Sequence, residues 1–177
     1  MENLKINATK FYNHLQHIYN IYGEPKENSS FQKIDALIFV RGKFLEGNKN
    51  CLQKKTSLLH EYILGYDFTE SLLCFSPKEI IFFVASRKKM ILESIKRPEK
   101  INCPEVNIFL RNPNGENEKT IDKILSNIIT DCNKDKIKIG MIKSEKGIGS
   151  LVPEFEKCLK ENQSIEIIHY YLLLLII

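Results

Sequence analysis

No two of the five cysteines, Cys51, Cys74, Cys103, Cys132 and Cys158, stand closer than 23 positions apart. This odd, dispersed set offers neither a disulfide framework nor a Cys-x-x-Cys zinc or redox motif, and reads as an intracellular protein with reduced thiols. Long apolar runs are also missing. The longest, Tyr170 to Ile177, has eight residues, against the ~20 needed to span a bilayer, so no membrane association is expected. The opening MENLKINATKF has no apolar stretch of signal-peptide length and no Arg-rich transit pattern. Internal repeats and low-complexity tracts are absent too.

Sites that announce themselves by motif are lacking as well. There is no Gly-x-Ser-x-Gly elbow and no His-Glu-x-x-His. Gly147-Ile148-Gly149-Ser150 sits between an expected strand and an expected helix, the place for an anion-cradling loop. A dinucleotide fingerprint needs a third glycine where Val152 stands, and a Walker loop needs its lysine after the glycines. An ordinary βα loop is the simpler reading. His14 and His17 share a helix but lie off its apolar stripe, and His60-Glu61 is adjacent rather than spaced. With no third or fourth ligand in view, His14 and His17 read as solvent-facing and no metal is expected. Cys74 and Cys158 read as small buried hydrophobes. No catalytic residue and no cofactor is nominated.

What is present is the composition of an ordinary globular domain. The 177 residues are 43% hydrophobic and 27% charged, close to the usual ~45–50% and ~25%, and the length suits one domain with a full core. The net charge of +4 resides in residues 1–89, with 13 basic and 9 acidic side chains, since residues 90–177 carry 13 of each. A pI of 8.7 falls short of the pI above ~9 typical of a nucleic-acid-binding domain, so direct nucleic-acid binding is not expected. Residues 87–100 hold six basic and two acidic side chains. Arg87, Lys88, Lys89, Lys96, Arg97 and Lys100 form either a solvated helix face, with Met90, Ile91 and Ile95 buried beneath, or a docking surface for an acidic partner or phosphate backbone.

Periodicity orders the chain. Phe11, Leu15, Ile18, Tyr19 and Tyr22 mark one helix face, with Asn7 as cap and Gly23 as stop. Ile34 to Val40 reads as a buried strand, Arg41 to Asn50 as a loop, and Leu52 to Gly65 as a second helix. Ser71 to Phe75 and Glu79 to Ala85 flank Ser76-Pro77-Lys78, a hairpin signal. Ser86 is expected to cap a helix over Arg87 to Lys96 that Pro98 stops. Val106 to Leu110 is a strand, Glu118 to Asp131 a helix, Lys136 to Ile142 a strand, Pro153 to Lys160 a helix and Ser164 to Ile168 a last strand. Alternating strands and helices with one hairpin predict an α/β fold, a mixed sheet of about five to six strands flanked by helices.

Several strings carry a resemblance. Tyr62-Ile63-Leu64-Gly65-Tyr66-Asp67-Phe68-Thr69-Glu70-Ser71 and Ile80-Ile81-Phe82-Phe83-Val84-Ala85-Ser86-Arg87-Lys88-Lys89 are similar to two segments of the N-terminal region of the large subunit of the FACT histone chaperone. Ile34-Asp35-Ala36, Asn107-Ile108-Phe109-Leu110-Arg111 and Lys138-Ile139-Gly140 extend the likeness over about residues 7 to 170. The resemblance implies the fold of the N-terminal lobe of creatinase, aminopeptidase P and prolidase. It implies a single lobe over 1–177, with 169–177 starting the connection to a C-terminal lobe that would carry any peptidase metal ligands. It further implies a non-catalytic, protein-binding role in nucleosome reorganisation during transcription, replication and repair. The implied partners are histones and, through the full-length protein, the second FACT subunit, and the implied location is the nucleus and chromosome. Two alternatives stand beside it: the non-catalytic lobe of a proline-specific metallo-aminopeptidase, and a small-ligand-binding α/β domain using Gly147 to Ser150.

Overall fold

The computed structural model describes residues 5–23, 34–43, 55–99, 101–142 and 148–170. Helix α1 (Ala8–Gly23) precedes strand β1 (Ala36–Arg41), helix α2 (Lys55–Leu64) and the hairpin of β2 (Ser71–Phe75) and β3 (Glu79–Val84). Helix α3 (Ser86–Glu93), β4 (Glu105–Leu110), α4 (Glu118–Cys132), β5 (Ile137–Ile142), α5 (Leu151–Glu161) and β6 (Ile165–Tyr170) follow. The strands form one sheet in the order β4-β3-β2-β1-β5-β6. The β1–β2 and β2–β3 ladders are antiparallel and the other three parallel, which is the expected mixed sheet with six strands.

The near-continuous apolar runs of β1, β2 and β3 follow from burial on both faces. Leu37, Phe39, Leu73, Phe75, Ile80 and Phe82 pack under Phe11, Leu15 and Ile18 of α1, Leu59 and Ile63 of α2 and Leu92 of α3. Residues of opposite parity, Ala36, Ile38, Leu72, Cys74, Ile81 and Phe83, meet Ile121, Ile124, Leu125 and Ile128 of α4 and Leu151 and Phe155 of α5. The result is three layers, helix–sheet–helix. The helices leaving β1 and β5 cover opposite faces, so these adjacent parallel strands form a topological switch point, the place where open α/β sheets bind ligands.

Local signals explain the ends. The Asn7 side chain accepts from Lys10 N at 3.0 Å, capping α1. Gly65, at φ +75°, stops α2, a left-handed backbone that glycine adopts without the usual Cβ penalty. Ser76 makes the hairpin turn, its Oγ accepting from Glu79 N at 3.1 Å and donating to Asp131 Oδ2 at 2.7 Å. Asp35 ties β1 to β5, accepting from Lys138 N at 2.8 Å.

The structure corrects several expectations. Arg41 belongs to β1 rather than to the following loop. Ala85 is the N-cap of α3, and Ser86 lies inside the helix and caps nothing. The helix ends at Glu93, short of Lys96, with Ser94 Oγ turned back to donate to Ile91 O at 2.6 Å. Met90 is 69% exposed, and Leu92 takes the core position of that helix. Helix α5 begins at Leu151, two residues before Pro153. Leu52, the loop over 44–50, Lys100, Gly147 and the tail over 171–177 lie outside the described residues, whereas His169 and Tyr170 close β6.

Candidate functional site

Two strings end alike: Ile38-Phe39-Val40-Arg41 and Ile108-Phe109-Leu110-Arg111. Each runs an apolar strand into an arginine at the carboxyl edge of the sheet, and both arginines are only 1% exposed. A buried guanidinium needs a partner, and the segment between α2 and β2 supplies both. Asp67 takes Arg41 side-on, with Nε donating to Oδ1 at 3.0 Å and Nη2 to Oδ2 at 2.7 Å. Glu70 takes Arg111, whose Nη2 donates to Oε1 at 3.1 Å and also to Ser150 Oγ at 2.9 Å.

Burial alone would raise the Asp67 carboxyl, yet its pairing with His60, Arg41 and Ser57 outweighs that and holds it well below the usual carboxylate range. His60, from α2, is 1% exposed and its Nδ1 stands 3.6 Å from Asp67 Oδ1, longer than a hydrogen bond. Burial pushes the imidazole below its ordinary value against the opposing pull of Asp67, so the ring is neutral at pH 7. Around Glu70, Lys43 Nζ lies 3.9 Å from Oε2. Gly149, at φ +109°, leaves the carboxylate room, since a Cβ there would come 2.7 Å from Oε1. The edge therefore carries a cluster of interlocked charges rather than a solvated face.

The six basic residues singled out by composition divide. Lys88 is half-buried, donating to Thr69 O, and its Nζ sits 5.5 Å from the Phe68 ring centroid. Burial lowers its pKa, while Glu70 and Asp67 pull it back up. Lys89 pairs with Glu93 at 3.5 Å. Arg97 donates to the carbonyls of Ile101, at 3.2 Å, and Cys103. Arg87 and Lys96 are exposed. Ile95 is half-buried, like Ile91.

Of His14 and His17, His14 departs from the solvent-facing reading. His14 stacks on Tyr62 with centroids 3.9 Å apart and its Nδ1 lies 2.5 Å from Tyr62 O, joining α1 to α2, while His17 is exposed. Cys74 and Cys158 are buried as expected. Burial pushes the Cys158 thiol up to about 12 and the Cys103 and Cys132 thiols to about 11, so none is an activated nucleophile. Among the described residues, no three of His, Cys, Asp and Glu are grouped to hold a metal, and no helix is long and apolar enough to cross a membrane. In the loop after β5, Ile148 bridges to Lys43 and Ser150 serves Arg111. At the switch point, Ile38, Val40, Met141, Val152 and Phe155 line a cleft of about 240 Å³ with Glu156 and His169 beside them, below the ~300–1,000 Å³ of ordinary small-molecule sites.

A three-layer lobe with this mixed sheet defines a fold class, one that Xaa-Pro aminopeptidase structures share. An Xaa-Pro aminopeptidase structure from Streptococcus pyogenes shares the fold at TM-score 0.54 and 12% identity, covering 93% of this chain and 94% of that one. Within the class, the profile of the FACT complex subunit SPT16 N-terminal lobe domain matches residues 6–169, and the chain belongs to that family. FACT complex subunit SPT16 of Yarrowia lipolytica is 25% identical over 159 residues, 90% of this chain and 14% of its own length. The Saccharomyces cerevisiae subunit is 25% identical over 169 residues, 92% of this chain and 15% of its own. The N-terminal domain of SPT16 from Cicer arietinum superposes at TM-score 0.77 and 20% identity, over 93% of this chain and 36% of that one. The chain thus spans about a seventh of the length of these curated relatives.

Sequence reasoning missed the Arg41–Asp67 and Arg111–Glu70 pairs. The signal available was the repeated Ile-Phe-x-Arg ending, together with the two carboxylates of the family-like string over 62–71.

Proposed function

We propose that this chain is the non-catalytic, protein-binding N-terminal lobe of a FACT-type histone chaperone subunit. On this reading it acts on chromatin in the nucleus, contributing histone contacts to nucleosome reorganisation during transcription, replication and repair. The second FACT subunit is a partner through the longer protein. On this reading residues 1–177 belong to one lobe, with His169 and Tyr170 in its last strand. The observation that carries the reading is the family match over residues 6–169, which runs through the sheet and all five helices. The metallo-aminopeptidase alternative rests on fold likeness at 12% identity alone.

Of the basic segment, Arg87 and Lys96 remain as proposed contacts for an acidic segment of a partner, because both are exposed and neither is engaged as Lys88, Lys89 and Arg97 are. Lys88 instead supports the loop that carries Asp67 and Glu70. The test is co-elution of the chain with refolded core-histone dimers and tetramers on size exclusion, beside an Xaa-Pro peptide hydrolysis assay. A stable complex without hydrolysis supports the reading. Hydrolysis, or no complex with either histone assembly, overturns it. Charge reversal of Arg87 and Lys96 that leaves every complex unchanged removes these two residues from the contact surface.

A further inference from the structure

The two buried arginines are used unequally. In a guanidinium the N–H bonds of Nε and one Nη project from the same edge, which matches the two oxygens of a carboxylate. Asp67 fills that edge of Arg41 completely. Glu70 meets the corresponding edge of Arg111 through Nη2 alone, and the Nε of Arg111 is buried with no hydrogen-bond partner. An unpaired N–H on a buried cation is costly, so this edge is built to accept one more oxygen than it receives.

Several of its neighbours favour an oxyanion. Ser150, the N-cap residue of α5, makes no cap hydrogen bond with its side chain and accepts from Arg111 instead. The positive end of an eleven-residue helix therefore lies beside the guanidinium. Lys43 adds a cation beside Glu70 that is 59% exposed at its side chain. Gly149 removes the Cβ that would collide with a carboxylate there. The anion now resident, Glu70, is held at φ +49°, a left-handed backbone that costs a non-glycine residue strain. Tyr66, Leu110 and Ile148, the chain neighbours of Asp67, Arg111 and Gly149, are exposed large hydrophobics.

We propose that Arg111, Ser150 and Lys43 form a carboxylate-recognition site, closed in cis by the Glu70 side chain, that takes a carboxylate of an acidic partner peptide when Glu70 swings out. The incoming group completes the side-on pair with Nε and Nη2 of Arg111, Lys43 neutralises its outer oxygen, and the Glu70 carboxylate moves out to water. The site stands on this geometry alone, and histone binding or its absence by the lobe does not bear on it.

The test compares the wild-type chain with Glu70→Ala at constant ionic strength. The probes are acetate and inorganic phosphate in thermal melts against chloride, and a fluorescein-labelled peptide of alternating Asp and Glu in polarisation titrations. The expected result is that acetate, unlike chloride, raises the Tm of Glu70→Ala saturably, and that the peptide binds this variant at least tenfold more tightly than the wild type. Adding Lys43→Met or Ser150→Ala weakens that binding at least threefold. Acetate and peptide acting no differently from chloride overturns the proposal, as does binding indifferent to Lys43 and Ser150. Phosphate outperforming acetate also overturns it, in favour of a phosphate site. If circular dichroism shows that Glu70→Ala does not fold, Glu70→Gln, which keeps the shape and removes the charge, takes its place in the same measurements with the same results for and against.

Discussion

Replacing Asp67 by Asn leaves the Arg41 guanidinium buried opposite a neutral amide. Arg41 is 2% exposed at its side chain and Asp67 22%, and the carboxylate accepts from Nε at 3.0 Å and from Nη2 at 2.7 Å. Removing one partner of a buried pair costs about 3–5 kcal/mol, chiefly because the remaining charge is left uncompensated. With Asp67 one-fifth open to water the lower end applies, about 3 kcal/mol. In a domain of this size each kcal/mol moves Tm by roughly 2–4 °C, so Asp67→Asn lowers Tm by about 6–12 °C. Urea unfolding of both proteins at pH 7, with the m-value checked for constancy, measures the difference. The sign of its pH dependence is set by linkage. The Asp67 carboxyl is held below its unfolded value near ~3.9, so its stabilisation is complete above that value and fades as pH falls through it toward the folded value. The gap between wild type and Asp67→Asn is therefore constant from pH 7 to about 5 and narrows below about 4. A difference under about 1 kcal/mol at pH 7, or one that widens in acid, would refute the reasoning.

Three further outcomes are expected. His60 is buried neutral with its pKa lowered, so stability declines as pH drops below ~6.5, where only the unfolded chain takes up the proton; in His60→Gln this slope disappears from urea titrations at about pH 7.5 and 5.5. Asn117, 2% exposed, accepts from Asn112 N at 2.8 Å and donates to Glu154 Oε2 at 2.9 Å, so Asn117→Ala costs about 1–3 kcal/mol by equilibrium unfolding. Phe75 is fully buried and its ring meets Phe39 edge-on at 6.2 Å, so Phe75→Ala lowers unfolding free energy by about 3–5 kcal/mol.

The fold was largely legible because burial writes itself into periodicity. Phe11, Leu15 and Ile18 mark α1, Ile121, Ile124, Leu125 and Ile128 mark α4, and Ser76-Pro77-Lys78 marks the hairpin between β2 and β3. The phase of α3 was not legible. In a segment as basic as 86–97, Met90 and Leu92 present equal claims to the core, and only the packed helix shows that Leu92 is buried while Met90 projects. The charge cluster was hidden for a different reason. Arg41 with Asp67 and Arg111 with Glu70 are pairs 26 and 41 positions apart, and pairing over such distances leaves no local period. Lys88 was likewise misleading: it lies within a basic run, yet its side chain runs over Phe68 toward the Thr69 carbonyl. What can be read early is that an arginine closing a buried strand needs an acid, and that Asp67 and Glu70 are the two acids of the segment over 62–71.

Fluorescence polarisation of labelled core histones with the purified 177-residue chain, titrated across a salt series beside an albumin control, tests the chaperone-lobe assignment most directly. The assignment predicts saturable binding that persists at moderate salt, where screening has removed non-specific attraction between exposed charges. Binding no stronger than albumin's, or lost with a modest rise in salt, would contradict it.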